Sequence, residues 1–159
     1  MREPVEDLIR QHQKHLFAAA FSICQNTSDA DDVVQDTFLK YHVCKKEFSS
    51  PEHIKAWLLR VAINKAKDIN RRMWRWNSVS IDEVTQTLIS EQTEDTGLFS
   101  EVMKLPEKYR ITLHLFYYEE YSVSEIAQIL KVSESNVKTR LSRARNMLKD
   151  KLEEDLVYG

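Results

Sequence analysis

Five cationic side chains, Lys138, Arg140, Arg143, Arg145 and Lys149, crowd into the stretch NVKTRLSRARNMLK, with only Glu134 just upstream to oppose them. Val137, Leu141, Ala144 and Leu148 recur at spacings of four, three and four, the buried stripe of a helix. The opposite face then presents Lys138, Thr139, Ser142 and Arg143, types that can reach base edges, while Arg140, Arg145 and Lys149 are placed for phosphates. Upstream, Ser122 or Ser124 can cap a helix whose inner face is Ile126, Ala127, Ile129 and Leu130, with Ala127 small where a second helix must cross closely. Lys131-Val132-Ser133 makes a short turn, and Ser133 caps the basic helix. This is the spacing of a helix-turn-helix, whose second helix enters the DNA major groove. The turn position that often holds Gly is Lys131, at a cost of up to about 1 kcal/mol if the backbone there is left-handed. A supporting helix begins at Leu105-Pro106-Glu107-Lys108-Tyr109-Arg110 and runs through Leu113, Leu115 and Phe116.

Two further constellations lie in the first half. Asp29, Asp32, Gln35 and Asp36 make an acidic, hydrogen-bonding face around Phe38 and Leu39, expected to be exposed and suited to docking on a basic coiled coil. Further on, Arg60, Asn64, Lys67, Asp68, Arg71 and Arg72 share a polar face at spacings of three and four. Trp57 falls on the apolar stripe of the same helix and is expected in the core. Trp74 and Trp76, interleaved with Arg75, suit contact with a nucleic-acid strand or pack the helix end.

Positioning these residues requires helices. Among 159 residues there are only two glycines and three prolines, and helix formers run throughout, so an all-α fold of two small helical domains is expected. In the first, apolar residues recur at helical spacing in three runs: Leu8, Leu16, Phe17, Phe21 and Cys24; Val33, Val34, Phe38 and Tyr41; Ile54, Trp57, Leu58, Val61, Ala62 and Ile69. Asn26-Thr27-Ser28-Asp29 separates the first two, with Ser28 or Asp29 as expected N-cap, and Ser49-Ser50-Pro51-Glu52 opens the third. Residues 77–101 are acidic, rich in Thr, Ser and Gln, and lack Lys and Arg, as in a linker. The expected division is therefore 1–76, 77–101 and 102–159. The net charge of −2 leaves the basic helix offset by the acidic face and the linker. Cys24 and Cys44 suit thiols in a reducing cytosol, and no apolar run approaches the roughly 20 residues of a membrane span. The N-terminus lacks a signal-peptide pattern, so a cytoplasmic protein without direct membrane insertion is expected.

LPEKYRITLHLFYYEEYSVSEIAQILKVSESNVKTRLSRAR resembles the promoter-reading C-terminal domain of bacterial RNA polymerase sigma factors, most closely the extracytoplasmic-function (ECF) group. DADDVVQDTFLKYH, Asp29 to His42, is similar to the sigma helix that binds the clamp of the polymerase largest subunit. HIKAWLLRVAINKAKDINRR, His53 to Arg72, is similar to the family's promoter-melting helix, and Phe48-Ser49-Ser50-Pro51 matches the loop that pockets a flipped base of the minus-ten element. The resemblance implies core polymerase contacts at Asp29, Asp32, Gln35, Asp36, Phe38 and Leu39. It implies minus-ten contacts at Phe48, Ser49, Arg60, Asn64, Lys67, Asp68, Arg71 and Arg72. Minus-thirty-five contacts fall to Ser133, Lys138, Thr139, Arg140, Ser142, Arg143 and Arg145. The implied partners are core RNA polymerase (largest-subunit clamp and the flap of the second-largest), promoter DNA and a cognate anti-sigma factor, in this family often membrane-anchored. The linker would thread the RNA exit path. Glu120-Tyr121 replaces the usual Gly-Leu pair, and Phe116 stands where some relatives carry a basic phosphate contact. The chain enters its first helix almost at once, so the helix that precedes it in longer relatives is expected to be missing.

Two other classes remain. A stand-alone helix-turn-helix regulator would bind palindromic half-sites without polymerase. An enzyme or metal protein would need a constellation that His12, His15, His42, Cys44 and His53 do not supply by spacing; no cofactor, metal or catalysis is expected.

Overall fold

The computed structural model describes residues 2–74 and 97–158, with side chains described for 2–72 and 97–151. All regular structure among the described residues is helical. The chain divides into two compact units, Met1–Ser78 and Val79–Gly159. Most of the expected linker, and Trp74, Arg75 and Trp76 as side chains, lie outside the described residues.

The first unit packs three helices, α1 (Val5–Cys24), α2 (Thr27–Val43) and α3 (Pro51–Trp74), each against the other two. Helix α2 starts earlier than expected. Its cap is Asn26, whose side chain accepts from the Asp29 N–H at 2.9 Å, which leaves Ser28 and Asp29 inside the first turn. Ser50 accepts from the His53 N–H at 3.1 Å and so caps α3, with Pro51 where its missing N–H costs nothing. The buried face of α3 is Ile54, Leu58, Leu59, Ala62, Ile63 and Ala66, slightly rotated from the expected stripe, so that Trp57, Val61 and Ile69 sit half-buried at its edge. The contiguous pairs Leu58-Leu59 and Ala62-Ile63 reflect two neighbours: a helix packed on two others buries an arc wider than a single stripe.

In the second unit α4 (Leu98–Met103) leads into α5 (Glu107–Leu113), which continues as a π-helical segment (His114–Tyr118), then α6 (Val123–Leu130) and α7 (Glu134–Tyr158). Helix α4 begins inside the stretch expected as linker, buries Met103 and packs on α7. Arg110 is buried and donates to the Leu105 carbonyl at 2.5 Å, tying the turn before α5 to its interior.

Candidate nucleic-acid and polymerase interfaces

Helices α6 and α7 form the helix-turn-helix. A reciprocal cap fixes the start of α6: Ser122 Oγ accepts from the Glu125 N–H at 3.1 Å, and Glu125 Oε1 accepts from the Ser122 N–H at 2.9 Å. Ile126, Ala127, Ile129 and Leu130 are buried. Lys131 adopts φ 57°, ψ 48°, the left-handed region that favours glycine, and Val132 N–H closes the turn on the Ala127 carbonyl at 3.1 Å. Ser133 then caps α7 by accepting from the Asn136 N–H at 3.0 Å. Val137, Leu141 and Ala144 are buried, with Leu148 half-buried behind them. Ser133, Lys138, Thr139, Ser142, Arg143 and Arg145 are exposed, whereas Arg140 is half-buried at the edge of the face. Tyr121, beside the cap, is pushed up to about 12 by burial and then by the charges of Glu119 and Glu125.

One partner of this face left no signal in the sequence. Arg145 Nε donates to the Tyr117 hydroxyl at 2.7 Å, and the guanidinium carbon stands 5.5 Å from the Phe116 ring centroid and 5.6 Å from that of Tyr117. Helical spacing places residues along one helix; it does not say which neighbour a π-helical turn brings alongside.

On the first unit, Asp32 and Gln35 are exposed on α2, and Asp29 is half-buried, its carboxyl pushed up by burial and by the neighbouring Asp32 charge. Asp36 is engaged: its Oδ2 lies 3.3 Å from Lys65 Nζ on α3. Leu39 is 61% exposed, but Phe38, expected beside it at the surface, is only 7% exposed and belongs to the core. At position 38 the ring follows the buried arc of Val34 and Tyr41, while Leu39, one residue and about 100° further round, faces out. A groove of about 720 Å³ between α1 and α2 has Val5, Ile9 and Phe17 on one wall and Val34, Phe38 and Leu39 on the other.

The loop before α3 also departs from expectation. Phe48 is 3% exposed, with ring centroids 5.8 Å from Tyr41, 5.5 Å from Trp57 and 5.1 Å from His53. Buried so, it anchors the loop: a benzyl ring gains more inside this aromatic cluster than in water. Ser49 stays exposed, its N–H donating to His53 Nδ1 at 3.1 Å. Arg2 straps the far side of the loop, donating to the Lys46 carbonyl at 2.8 Å and the Tyr41 carbonyl at 2.9 Å with its guanidinium 4.5 Å over the Tyr41 ring. Burial pushes the Cys44 thiol up, but the hydrogen bond from Arg2 leads the effects that leave it below its ordinary value. On the polar face of α3, Asn64, Asp68, Arg71 and Arg72 are exposed, Arg60 and Lys67 half-buried, and Asp68 lies 3.9 Å from Arg71. Among the described residues no three His, Cys, Asp or Glu side chains converge on a metal position, and no helix is long and apolar enough to cross a membrane.

Residues 8–75 match the sigma-70 region 2 family and residues 100–148 the sigma-70 region 4 family. The chain is 31% identical over 153 residues to RNA polymerase sigma factor SigV of Bacillus subtilis, covering 93% of this chain and 91% of that one. It is 32% identical over 168 residues to RNA polymerase sigma factor YlaC of the same organism, with 96% and 97% covered. Among solved structures, CnrH in complex with the cytosolic domain of CnrY aligns with a TM-score of 0.68 at 29% identity, over 95% of this chain and 88% of that one. The sigma factor RpoE of Bartonella quintana, in complex with the anti-sigma factor NepR, aligns at 0.70 over 93% and 96%; at 20% identity it speaks to the fold alone. With both family regions in order along one chain, and relatives matched over nearly their whole length, the protein belongs to the ECF sigma factors, the transcription-initiation factors of bacterial RNA polymerase.

Proposed function

We propose that the first unit docks on core RNA polymerase and engages the minus-ten element, while the second reads the minus-thirty-five element through α7. The observation that carries this is the pairing, in one chain, of an acidic α2 face with a helix-turn-helix whose outward stripe is cationic. Asp32, Gln35 and Asp36 provide acceptors for a basic coiled coil such as the clamp of the largest subunit, and the exposed Leu39 supplies apolar contact. The flap of the second-largest subunit would hold the second unit at its upstream position. Lys138, Thr139, Ser142 and Arg143 face base edges, with Arg140 and Arg145 toward phosphates. On α3, Arg60, Asn64, Lys67, Arg71 and Arg72 face the opened strand beside Ser49, and Asp68 orients Arg71.

The protein acts in the cytoplasm, where polymerase is, as a binding factor without catalytic chemistry of its own. The 29%-identical relative captured with the cytosolic domain of CnrY supports regulation by a cognate anti-sigma factor, one held at a membrane. The net charge of −2 limits non-specific attraction to DNA, so the isolated chain binds a promoter weakly and the holoenzyme strongly. The test is co-elution of the chain with purified bacterial core polymerase, followed by run-off transcription on a candidate promoter. Stable co-elution weakened by Asp36→Arg, with a promoter-dependent transcript, is the expected result. A chain that elutes alone yet binds duplex DNA at nanomolar concentration in physiological salt is a stand-alone regulator instead.

A further inference from the structure

We infer that Tyr117 is a positioning residue for DNA backbone binding: with Phe116 it fixes the Arg145 guanidinium as a preset phosphate clamp on the recognition face. The inference rests on the assignment of α7 to DNA.

Lys138, Ser142, Arg145 and Lys149 follow one another at spacings of four, three and four, so Arg145 continues the stripe of Lys138 about 10 Å further along the axis. An arginine on an exposed helix ordinarily samples many rotamers and must surrender them on meeting a phosphate. Arg145 is held beforehand from the side. The Tyr117 hydroxyl accepts its Nε–H at 2.7 Å, and the Phe116 and Tyr117 rings flank the guanidinium at 5.5 and 5.6 Å. These two rings meet each other edge-on, centroids 4.9 Å apart, and so form a corner rather than a single wall. With Nε spent on Tyr117, the Nη edge is what the guanidinium offers to an anion, and two Nη–H groups suit the oxygens of a phosphodiester.

The corner depends on an irregular backbone. Helix α5 does not end at Leu113 but widens into the π-helical segment, where Glu119 N–H reaches back to the His114 carbonyl at 3.1 Å and Tyr121 N–H to that of Leu115 at 3.0 Å. The widened turn carries Phe116 and Tyr117 to the flank of α7. It closes at Glu120, a non-glycine residue at φ 60°. A wide turn and a left-handed residue are both disfavoured, and such features concentrate where a fold must aim a side chain. Position 116 itself supplies a ring, and the charge arrives from Arg145 on α7.

The full-length chain is titrated against a fluorescein-labelled 30-bp duplex of mixed sequence at low salt, where phosphate contacts dominate. Tyr117→Phe keeps the ring and removes the hydroxyl; it should weaken binding roughly three- to tenfold. Its salt slope and melting temperature should stay as in the wild type. Arg145→Ala should weaken binding and flatten the salt slope by about one. In the Arg145→Ala background, Tyr117→Phe should have no further effect, which a purely structural tyrosine would not reproduce. Lys138→Ala serves as the reference for the face. If it weakens binding while Tyr117→Phe does not, or if the Tyr117→Phe loss persists undiminished without Arg145, the clamp is wrong and the DNA face stands. If Lys138→Ala and Arg145→Ala are both silent, the DNA assignment of α7 fails and the clamp with it.

Discussion

Replacing Phe48 by Ala separates two roles that a single loop residue can play. The ring is 3% exposed and touches Tyr41, Trp57 and His53, so its removal opens a cavity inside the aromatic cluster. Phe→Ala in a core costs about 3–5 kcal/mol, and a site beside a loop can partly collapse, which argues for the lower end, about 3 kcal/mol. A unit of this size is worth about 5–10 kcal/mol in all, so the variant should be folded but marginal. The expected fall in melting temperature is about 12–24 °C. Urea unfolding followed by tryptophan fluorescence reads the right unit, because Trp57, Trp74 and Trp76 all lie within Met1–Ser78. Phe48→Leu, which keeps most of the apolar volume, should recover most of the stability and with it promoter opening by the holoenzyme. If Phe48→Ala costs less than about 1 kcal/mol while Phe48→Leu abolishes promoter opening, the ring works at the DNA surface and the burial argument is refuted.

Other perturbations test other links. Lys131→Gly relieves a left-handed side chain at φ 57° but loosens the unfolded chain, so a net gain of at most about 0.5 kcal/mol in the second unit is expected. Slower exchange of α6 amides would report it, and faster exchange would contradict it. Tyr121 holds its proton more tightly folded, to about 12, than unfolded, near 10. Its contribution is therefore complete below pH 10 and lost as pH rises toward 12; Tyr121→Phe should flatten melting temperature against pH in that window. Cys44, its thiol held low by Arg2, should be alkylated by iodoacetamide faster than Cys24 at pH 8, and Arg2→Gln should narrow the difference by mass spectrometry. Lys65→Glu frees Asp36 from its partner and adds negative charge beside it, so co-elution with core polymerase should hold or tighten, the reverse of the loss expected for Asp36→Arg. Lys65→Ala should change stability little, because an exposed pair is worth at most about 1 kcal/mol.

What the sequence made legible follows from which interactions are periodic. The stripe of Val137, Leu141, Ala144 and Leu148 repeats with the helix itself, so it fixed both the buried side of α7 and the outward set beginning at Lys138. The short turn at Lys131-Val132-Ser133 was equally legible, but its left-handed backbone was not, because a lysine stands where glycine would have signalled it. Phe38 and Phe48 were misplaced for one reason. Both sit beside polar residues in motifs associated with contact, and an aromatic there looks like a docking side chain until its burial in the folded unit is seen. For Phe48, the cover comes from Tyr41 on α2 and from His53 and Trp57 on α3, which lie close in sequence but on two helices whose different axes no single helical period relates. The same holds for Asp36 with Lys65 and for Arg145 with Tyr117, 29 and 28 residues apart. A face can therefore be drawn from one helix alone, but the charge available on it cannot. On the proposed reading, Asp36 would meet the polymerase already engaged by Lys65, and Arg145 a phosphate already aimed by Tyr117; in both cases the partner on the neighbouring element would set how strongly the residue acts.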